Sequence, residues 1–435
     1  MDQPTRNIQT ITLLSQEDRL KGRPKLCSDC GVCSSAARPM MAHACVFVRN
    51  QAEQIELRLH GRNRQEGDEL LLGIYRHIHV ARMAQPLPGA QWSGIVSSLG
   101  ALLLERGIVD GVVATRAVPG TRYAPQPFLA RTPDEVRASR GNKPCISPNL
   151  EVLDEVRAAG LKRLAFIGVG CQVHALRAMQ QELGLERLYV IGIPCTDSTT
   201  YPNLQRFLQV VSKSPDTVIH HEFFQDFRLW MTHEDGHVEK VNFIDLDVGK
   251  LGGQTGVFPP ACMSCFDYQN TLSDITVGYM GAPLGGWQWT IVRTAAGEEL
   301  FELIRPYLTL GELTSGGDRT IGVHTYVRML RRPPRRPPAP VRKLIAFLQR
   351  RRGPKGVEFA RSVIEMKLLR NLQFVRERFP AMEERVVPYY VYAALERYAE
   401  TYEREFDRSL VRQARGQGDK ERRREGDKET SGAAI

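Results

Sequence analysis

Three cysteines stand close together near the amino terminus, in the stretch LCSDCGVC. Cys27, Cys30 and Cys33 form a CxxCxxC pattern, and Cys45 follows after eleven residues. Thiols at this spacing could form disulfides, bind zinc or hold an iron–sulfur cluster. Structural zinc sites pair one CxxC with a second, or with two histidines, about 12–20 residues later. The next CxxC here, Cys262–Cys265, lies more than 200 residues downstream, so the local run favours a cubane cluster.

The surroundings of this run support metal binding over disulfides. Nine cysteines among 435 residues are too dilute for a disulfide-built scaffold, and the first residues carry no apolar run typical of a signal peptide. Thiols of a cytoplasmic chain stay reduced, so we expect a cytoplasmic protein whose close-set cysteines bind metal. Gly31 suits a backbone that bends tightly around a cluster. Cys45 as the fourth ligand is an inference, because the Cys-Pro of bacterial ferredoxins is absent.

Four further cysteines could form a second site. Cys171 and Cys195 follow apolar runs that predict buried strands, whereas Cys262 and Cys265 lie in the Pro-rich stretch FPPACMSC. Open α/β sheets place their sites at the carboxyl ends of strands. One isolated cysteine there is more often a small buried apolar residue, but four soft ligands are enough for a second cubane. Cys145 is then left as a free thiol.

The elements that must position these cysteines follow from the hydrophobic pattern. The chain is 42% hydrophobic and 25% charged, a globular balance with room for one large core or two to three domains. Alternating strand and helix patterns predict an α/β body over about residues 70–310. We expect strands at Ile108–Ala114 and Leu164–Val169, a helix from Gln172, an antiparallel insertion near 217–245 with a hairpin at EDG, and mainly helices over 340–410.

A phosphate-binding turn is indicated at QWSGIVSSLG. A Gly/Ser-rich turn at a helix start offers backbone N–H groups and the positive end of the helix dipole to a phosphate. This turn lacks the GxGxxG spacing of a dinucleotide site, so tight packing of a helix start explains it equally well. Trp287 and Trp289 alternate like strand residues and are expected in the core, with stacking on a large flat ring system as the alternative.

Several longer segments resemble one family. GVGCQ resembles the GTPCQ motif of the beta-subunit family of deazaflavin-dependent hydrogenases and dehydrogenases. The run from CMSCFDYQN to TAAGEELF is similar to that family's C-x2-C-x-D … R-T … G segment, and GNKPCISPNL is similar to its G-[ST]-K-Y … S-P segment. The resemblance covers about residues 20–380. Val169 and Gly170 stand where the family has Thr-Pro, and Pro144 and Cys145 replace Tyr-Thr.

The resemblance implies an FAD beside a 4Fe–4S cluster. The cysteines that match the family's cluster ligands are Cys171, Cys195, Cys262 and Cys265. The residues that become candidates for contact with the flavin are Gly94, Ser97, Ser98, Lys143, Ser147, Asn149 and Gly278. His174 and Asp274 become the catalytic candidates, although a histidine on a helix is more often a satisfied structural group.

The stretch LCSDCGVC and the segment GPKGVEFARSVIEMKLLRN resemble a narrower branch, the ferredoxin-dependent reductases of the chlorophyll pathway. This implies two 4Fe–4S clusters, with the first on Cys27, Cys30, Cys33 and Cys45, and an FAD. It also implies ferredoxin as electron donor and a chlorophyllide-type tetrapyrrole as substrate. We expect reduction of the 8-vinyl group of divinyl (proto)chlorophyllide to ethyl, with reduction of 7-hydroxymethyl chlorophyll a as the alternative. A non-catalytic electron-transfer subunit and a zinc-stabilised structural protein are hypotheses of other kinds.

The charge is unevenly distributed. Residues 331–435 hold 26 Lys and Arg against 15 Asp and Glu, a net charge of +11, whereas residues 1–330 hold 33 against 34. No nucleic-acid-binding module accompanies this charge, so nucleic acid is not expected as a partner. A basic surface suits an acidic electron carrier or anionic lipid, and VRKLIAFLQRRR is short, basic and amphipathic. Peripheral contact with photosynthetic membranes and homo-oligomerisation stay open.

We therefore expect an α/β protein whose mixed-sheet flavin-binding core carries an N-terminal iron–sulfur extension and a helical C-terminal region. The expected divisions are 1–60 for the extension, 61–325 for the core, 326–412 for a basic linker and helices, and 413–435 for a disordered tail. The tail contains almost no large apolar residues.

Overall fold

An eight-stranded mixed sheet lies at the centre of the protein in the computed structural model, which describes residues 26–121, 124–253, 256–332 and 335–410. The predicted tail at 413–435 lies outside these residues. The strands are β1 (His77–Met83), β2 (Gly111–Ala117), β3 (Pro125–Ala130), β4 (Arg163–Gly168), β5 (Arg187–Gly192), β6 (Val218–Phe223), β7 (Arg228–His233), β8 (Val238–Asn242), β9 (Ile275–Gly278), β10 (Gln288–Val292), β11 (Leu308–Gly311), β12 (Ser315–Gly316) and β13 (Lys355–Gly356).

The central sheet has the order β11-β1-β10-β9-β5-β4-β2-β3. Its middle strands β2, β4, β5 and β9 run parallel, and the flanking pairs are antiparallel. Parallel neighbours need crossover connections that cover the faces of the sheet, which explains why β4 and β5 are apolar along almost their whole length. The predicted mixed α/β sheet is confirmed.

Helices connect and cover the strands. They are α1 (Met41–Ala44), α2 (Ala52–His60), α3 (Glu69–Leu72), α4 (Ile95–Glu105), α5 (Pro133–Ala138), α6 (Leu153–Ala158), α7 (Gly170–Ala178), α8 (Tyr201–Val211), α9 (Ala295–Ile304), α10 (Thr320–Arg331), α11 (Ala339–Arg352), α12 (Val357–Arg378), α13 (Glu383–Val386), α14 (Tyr389–Leu395) and α15 (Ala399–Phe406).

The two faces of the sheet have separate cores. On one face α4 and α9 contribute Leu99 and Leu300 to a core with Val112 and Ile191. On the other face α6 and α7 pack together with the N-terminal segment, whose Val32, Ala37 and Ile55 share a core with the sheet residue Phe166. The N-terminal segment is therefore held by apolar contacts with the sheet layer.

The insertion is the separate antiparallel sheet β6-β7-β8, which packs with α8. Its β7–β8 turn is the predicted EDG hairpin, in which His233 N–H donates to His237 C=O at 3.0 Å. The C-terminal helices form a further core around α12, which includes Tyr398 and Tyr402 and also reaches β10 through Trp289. Both the antiparallel insertion and the helical C-terminal region are confirmed.

Strand β2 begins at Gly111, three residues later than the start predicted at Ile108. The N–H groups of Ile108 and Val109 donate to Leu103 C=O and close α4, so these residues complete the helix end. Likewise Val169 is the residue that caps α7, and β4 stops one residue earlier than predicted. Among the described residues, no helix combines the length and the apolar character that crossing a bilayer requires.

Candidate active site

A cavity of about 680 Å³ opens at the carboxyl ends of the parallel strands. Residues at or just after the ends of β2, β4, β5 and β9 line it: Thr115, Val169, Ile193 and Tyr279. This edge is where open α/β sheets bind their ligands, because loops from neighbouring strands diverge there. A cavity of this size suits a cofactor together with part of a second ligand.

Four of the predicted metal ligands, which we call the core thiol set, line this cavity: Cys171, Cys195, Cys262 and Cys265. Burial raises the pKa of each thiol, and in the case of Cys265 to about 11. The charges of Cys265 and Cys195 add to the rise of the Cys171 pKa, so these thiols lie close together. The fold thus gathers four soft ligands from three distant segments.

Helix α12 holds two loops of the core thiol set in place. Asn371 Nδ2 donates to Cys262 C=O at 3.1 Å and to Cys265 C=O at 2.6 Å. Asp197, two residues after Cys195, accepts from Lys367 Nζ at 3.1 Å and from Arg370 Nη2 at 2.9 Å. These three charged side chains are at most 10% exposed. The segment that contains the α12 residues, GPKGVEFARSVIEMKLLRN, was singled out only by its resemblance, because nothing local in α12 shows that its polar side chains reach the cysteine loops.

The other four predicted ligands, the N-terminal thiol set, also lie near one another. Burial raises the pKa of Cys30 to about 12, and the charges of Cys45, Cys27 and Cys33 add to that rise. None of the four lines the cavity, although Ser28 does. The Ser28 side chain bonds to the Cys171 thiol, and the charge of Cys30 also raises the Cys171 pKa. The two sets are therefore adjacent.

Gly31 fixes the path of the N-terminal loop. Its φ is +109°, and a Cβ on it would lie 2.5 Å from Glu151 N. No side chain fits there, since such an approach is closer than atoms tolerate. In the residue before Glu151, Leu150 N–H donates to Cys30 C=O at 2.9 Å. The glycine predicted to allow a bend around a cluster is thus also required for packing against the turn Asn149–Val152.

The thiol arrangement bears on which metal group fits. Within the described ranges, no three or more His, Cys, Asp or Glu side chains converge as ligands of a single metal ion. Zinc needs its ligand atoms within about 2.0–2.3 Å of one centre. Thiolates are the donor atoms that hold iron–sulfur clusters, so each set of four cysteines matches a cubane in the type of its ligands. None of the nine cysteines is disulfide-bonded.

Most of the residues predicted to contact a flavin line the cavity: Gly94, Ser97, Lys143, Ser147, Asn149 and Gly278. Ser98 lies on α4 but does not line the cavity. Gly94 caps α4 with φ +89°, and a Cβ there would lie 2.8 Å from Leu87 Cβ. Gly94, Val96 and Ser97 at the start of α4 line the cavity, and the first N–H groups of a helix have no partner within the helix, which suits a phosphate.

Two of these residues belong to a hydrogen-bond network at the strand ends. Asn149 Oδ1 accepts from Ser147 Oγ at 2.6 Å and from Thr115 Oγ1 at 2.9 Å, and its Nδ2 donates to Ile167 C=O at 3.2 Å. Gln172 of α7 donates to Ser147 C=O at 2.6 Å. The network joins the loop to β2, β4 and α7, so it fixes the cavity wall before any ligand is bound.

Lys143 caps a helix in addition to lining the cavity. Its Nζ donates to the carbonyls of Ser139, Arg140 and Gly141 after α5. Burial, with the neighbouring charge of Arg140, lowers the pKa of Lys143 to about 8. A buried cation with a lowered pKa gains from a nearby anion, which suits the predicted phosphate contact.

The two predicted catalytic residues are not among those that line the cavity. His174 Nε2 accepts from Gln51 N–H at 3.0 Å, and its Nδ1 therefore carries the proton and faces Ala44 C=O at 3.3 Å. Burial lowers the pKa of His174 to about 4, so it is neutral. It fastens the N-terminal segment to α7, as the structural alternative predicted.

Asp274 is likewise a structural residue. It accepts from Val190 N–H and Thr294 Oγ1, both at 2.7 Å, and pairs with the buried Arg177 at 2.8 Å. These bonds tie β5, β9 and α9 together beneath the sheet edge. Neither His174 nor Asp274 lines the cavity, and both side chains are buried against partners from other segments, so a catalytic role for either stays a prediction.

Helix α8, the insertion and the segment after β8 together form an apolar end of the cavity that sequence reasoning missed. The side chains that line it are Leu204, Phe207, Phe223, Phe243, Leu246, Val257 and Phe258. Close to them, Trp92 stacks on Tyr279 with ring centroids 4.3 Å apart. By contrast, Trp289 is 3% exposed in β10 and Trp287 packs under Arg82, and neither lines the cavity. Core packing was the role predicted for both.

Comparisons with known proteins agree with this architecture. Residues 78–154 match the family model of the coenzyme F420 hydrogenase/dehydrogenase beta subunit N-terminus, and residues 161–315 match that of its C terminus. The chain is 44% identical to the uncharacterized protein all1601 of Nostoc sp., over 82% of this chain and 89% of that protein. It is 40% identical to the chloroplastic 7-hydroxymethyl chlorophyll a reductase of Oryza sativa subsp. japonica, over 86% and 82%.

A solved structure shares the fold. The matching chain belongs to the F420-reducing [NiFe] hydrogenase complex from Methanosarcina barkeri. The TM-score is 0.54 at 23% identity, and the match covers 72% of this chain and 94% of that chain.

Proposed function

The chain belongs to the coenzyme F420 hydrogenase/dehydrogenase beta-subunit family, in its chlorophyll-pathway branch, and we propose that it is a ferredoxin-dependent reductase of a chlorophyllide-type tetrapyrrole that uses FAD and two 4Fe–4S clusters. One observation carries this proposal. A single cavity is lined by the core thiol set, by the helix start and loop proposed for the flavin, and by an apolar aromatic end.

When bound, the clusters carry single electrons and the flavin converts them into a two-electron transfer. Separate sets of residues would bind the two clusters and the flavin. The core thiol set and the N-terminal thiol set supply four thiolates each. The N-terminus of α4 and the Lys143 ammonium offer positive charge to a pyrophosphate. The hydrogen bond between Ser147 and Asn149 stiffens the loop that carries both residues.

The apolar end of the cavity suits a flat macrocycle. Phe207, Phe223 and Phe243 offer apolar faces, and such surfaces stack favourably on an extended π-system. Burial raises the pKa of Tyr279, so its phenol stays protonated at neutral pH and can donate a hydrogen bond. We propose that Tyr279, which lines the cavity, offers its phenol as a hydrogen-bond donor to the substrate.

The preferred reaction is reduction of the 8-vinyl group of divinyl chlorophyllide to ethyl. Two electrons and two protons add across the vinyl double bond, and no group leaves. Every pathway that makes 8-ethyl pigments needs this step. The second candidate, reduction of the 7-hydroxymethyl group to methyl, also takes two electrons and two protons but releases water. Its support is the 40% identity to the rice protein of that name.

The substrate test is incubation of the purified, anaerobically reconstituted protein with reduced ferredoxin and each pigment separately, followed by chromatography and mass spectrometry. We expect divinyl chlorophyllide to gain two hydrogen atoms. Conversion of 7-hydroxymethyl chlorophyll a alone would select the second candidate. Conversion of neither pigment, while ferredoxin still reduces the bound flavin, would indicate an electron-transfer subunit.

Electron entry is proposed at the N-terminal thiol set, whose segment carries the exposed cations Arg38 and Arg49. An acidic ferredoxin would dock there, close to the thiols that do not line the cavity. The double variant Arg38→Glu/Arg49→Glu should slow turnover with ferredoxin several-fold, and salt should slow the parent protein similarly. Turnover with a small neutral reductant is the control. Equal loss with both reductants would contradict docking at this segment.

A further inference from the structure

Helix α11 carries an apolar face that points away from the protein. Its exposed large apolar side chains are Val341, Leu344, Phe347 and Leu348, which are 38–57% exposed. At about 100° per residue these four positions lie within about 120° on the helix circumference. The one fully buried residue, Ala346, is 2% exposed and lies nearly opposite. The helix therefore packs through Ala346 and the half-buried Ile345, and it leaves its other four large apolar side chains exposed.

Polar contacts along its sides hold α11 in this orientation. Arg342 Nε donates to Asp245 Oδ1 at 2.7 Å, and Arg350 Nη1 donates to Asn242 Oδ1 at 2.7 Å. Both partners belong to the insertion, at and just after the end of β8. The apolar face is thus displayed by a helix fastened near both ends. A rigid, outward-facing apolar stripe of this kind is rare on a protein that does not bind anything through it.

Unpaired cations surround this face. Lys343, Arg351 and Arg352 form no ion pair among the residues that the structure describes, and all three are exposed. Arg351 also lies 6.0 Å from the centre of the Phe347 ring. On the preceding segment, Arg332 and Arg335 are exposed as well. The combination of an apolar stripe with flanking Lys and Arg is that of helices that lie in a lipid–water interface.

We propose that α11 docks the protein on anionic membranes, with Leu344 and Phe347 in the boundary between headgroups and acyl chains. Its basic flank would attract anionic headgroups. A second copy of the chain fits less well, because two such faces would bring cations together. An acidic protein would match the charge but not the four projecting apolar side chains.

The position of α11 relates this surface to the cavity. The helix packs on the turn Phe243–Asp245, and Phe243 and Leu246 line the apolar end of the cavity. Docking through α11 would therefore hold that end near the lipid. Lipid binding does not depend on the proposed reaction, and it can be measured with inactive protein.

The test is co-sedimentation of the full chain with vesicles of phosphatidylcholine containing about one third phosphatidylglycerol, and with vesicles of phosphatidylcholine alone. We expect binding to the anionic vesicles and little to the neutral ones. Leu344→Glu/Phe347→Glu should abolish binding. Lys343→Gln/Arg351→Gln/Arg352→Gln should weaken it roughly 100-fold, at about fivefold for each cation near the surface. Leu57→Glu is the matched control, since Leu57 is 51% exposed on α2, and it should bind like the parent.

Three results would overturn the proposal. One is equal binding by the parent and the Leu344→Glu/Phe347→Glu variant. Another is a concentration-dependent oligomer that this double variant dissociates, seen by sedimentation velocity, with no vesicle binding, since a second copy would then cover α11. The third is loss of ferredoxin-dependent turnover in the same variant without any vesicle binding by the parent, because α11 would then be the donor's docking site.

Discussion

The two thiol sets are built in opposite ways. The N-terminal set comes from one short stretch, Cys27 to Cys45, and its loop is held by backbone contacts with the turn Asn149–Val152. The core set comes from three segments between Cys171 and Cys265, and it depends on α12, about a hundred residues further along the chain, to hold its loops. The N-terminal set is a local motif that packs on one face of the sheet. The second exists only when the whole fold has formed.

This difference has an energetic consequence. The core set is stabilised by buried charges and amide bonds, so the loss of one partner leaves other charges unpaired in a poorly solvated place. The N-terminal loop is held partly by exposed contacts, such as Ala36 N–H to Asp154 at 3.0 Å, and these are weakened by competition with water. A substitution near the core set should therefore lower the stability of the whole fold. A substitution near the N-terminal set should affect mainly its own loop.

The largest expected effect is on iron content. Two cubanes predict about eight iron atoms and eight sulfides per chain. Cys262→Ser should remove about half of the iron. It should also lower the melting temperature, because the loop that α12 holds would lose the cluster it binds. Cys30→Ser should remove about half with a smaller change in melting temperature. Iron and sulfide analysis with a thermal scan checks both.

Cys145→Ser is the matched control for these thiol variants. Cys145 lines the cavity and burial raises its pKa to about 12, but it was assigned to neither set. Iron loss in this variant alone would show that the partition of the nine cysteines is incorrect. Retention of all iron in Cys262→Ser would rule out the core thiol set as a cluster site.

The next effect concerns the charges under the core set. Asp197→Asn leaves the buried Lys367 and Arg370 without their carboxylate, which should cost about 3–5 kcal/mol of unfolding free energy. Asp134→Asn is the control, because Asp134 is 94% exposed in its pair with Arg137 and should cost less than about 1 kcal/mol. Urea unfolding measures both. Equal, small losses would mean that α12 does not stabilise the core set.

Single hydrogen bonds should show the same contrast on a smaller scale. Asn371→Leu removes both bonds to the Cys262–Cys265 loop and should cost about 2 kcal/mol, since two part-buried carbonyls lose their donor. Asp154→Asn weakens an exposed contact of the N-terminal loop and should cost about 1 kcal/mol or less. The comparison fails if the exposed change costs as much as the buried one under the same unfolding conditions.

The smallest effect expected is the pH dependence of flavin binding through Lys143. The pKa of this lysine is lowered to about 8 without a ligand, and a bound phosphate would favour its protonated form. Affinity should therefore fall as the pH rises through about 8, because binding must then take up a proton. Lys143→Arg should flatten this dependence, since arginine stays charged. Fluorescence titration of the apoprotein with FAD gives the affinities, and a flat parent profile would remove Lys143 from the flavin site.

Some parts of the site were predictable because their signals are local. The CxxCxxC spacing predicted the N-terminal thiol set, and the charges of Cys45, Cys27 and Cys33 act on Cys30 in the structure. Apolar runs ending at Cys171 and Cys195 predicted strand ends, and the parallel strands β4 and β5 indeed bring those ends to one edge of the sheet. The alternating pattern and the EDG turn predicted the antiparallel insertion. Each of these inferences needed only residues a few positions apart, where hydrophobic period and turn chemistry act.

Other parts were decided by tertiary structure alone. His174 and Asp274 were placed at the flavin from their positions near motif residues, but the fold turns both into buried ties between segments. The phenylalanines of the apolar end look in the sequence like ordinary helix, strand and loop residues, and only the packed fold shows that they line the cavity. Helix α12 gave no sign that Lys367 reaches a residue 171 positions earlier in the chain.

By itself, then, the sequence determined the soft-ligand chemistry, the mixed α/β class and the amphipathic basic helix. Those properties follow from residue types and short spacings. Which polar groups reach the cavity and which become structural depends on where chain crossovers place segments that lie far apart in sequence. Burial then decides their roles, because a buried polar group must find a partner, and in this fold the partner usually comes from a distant segment.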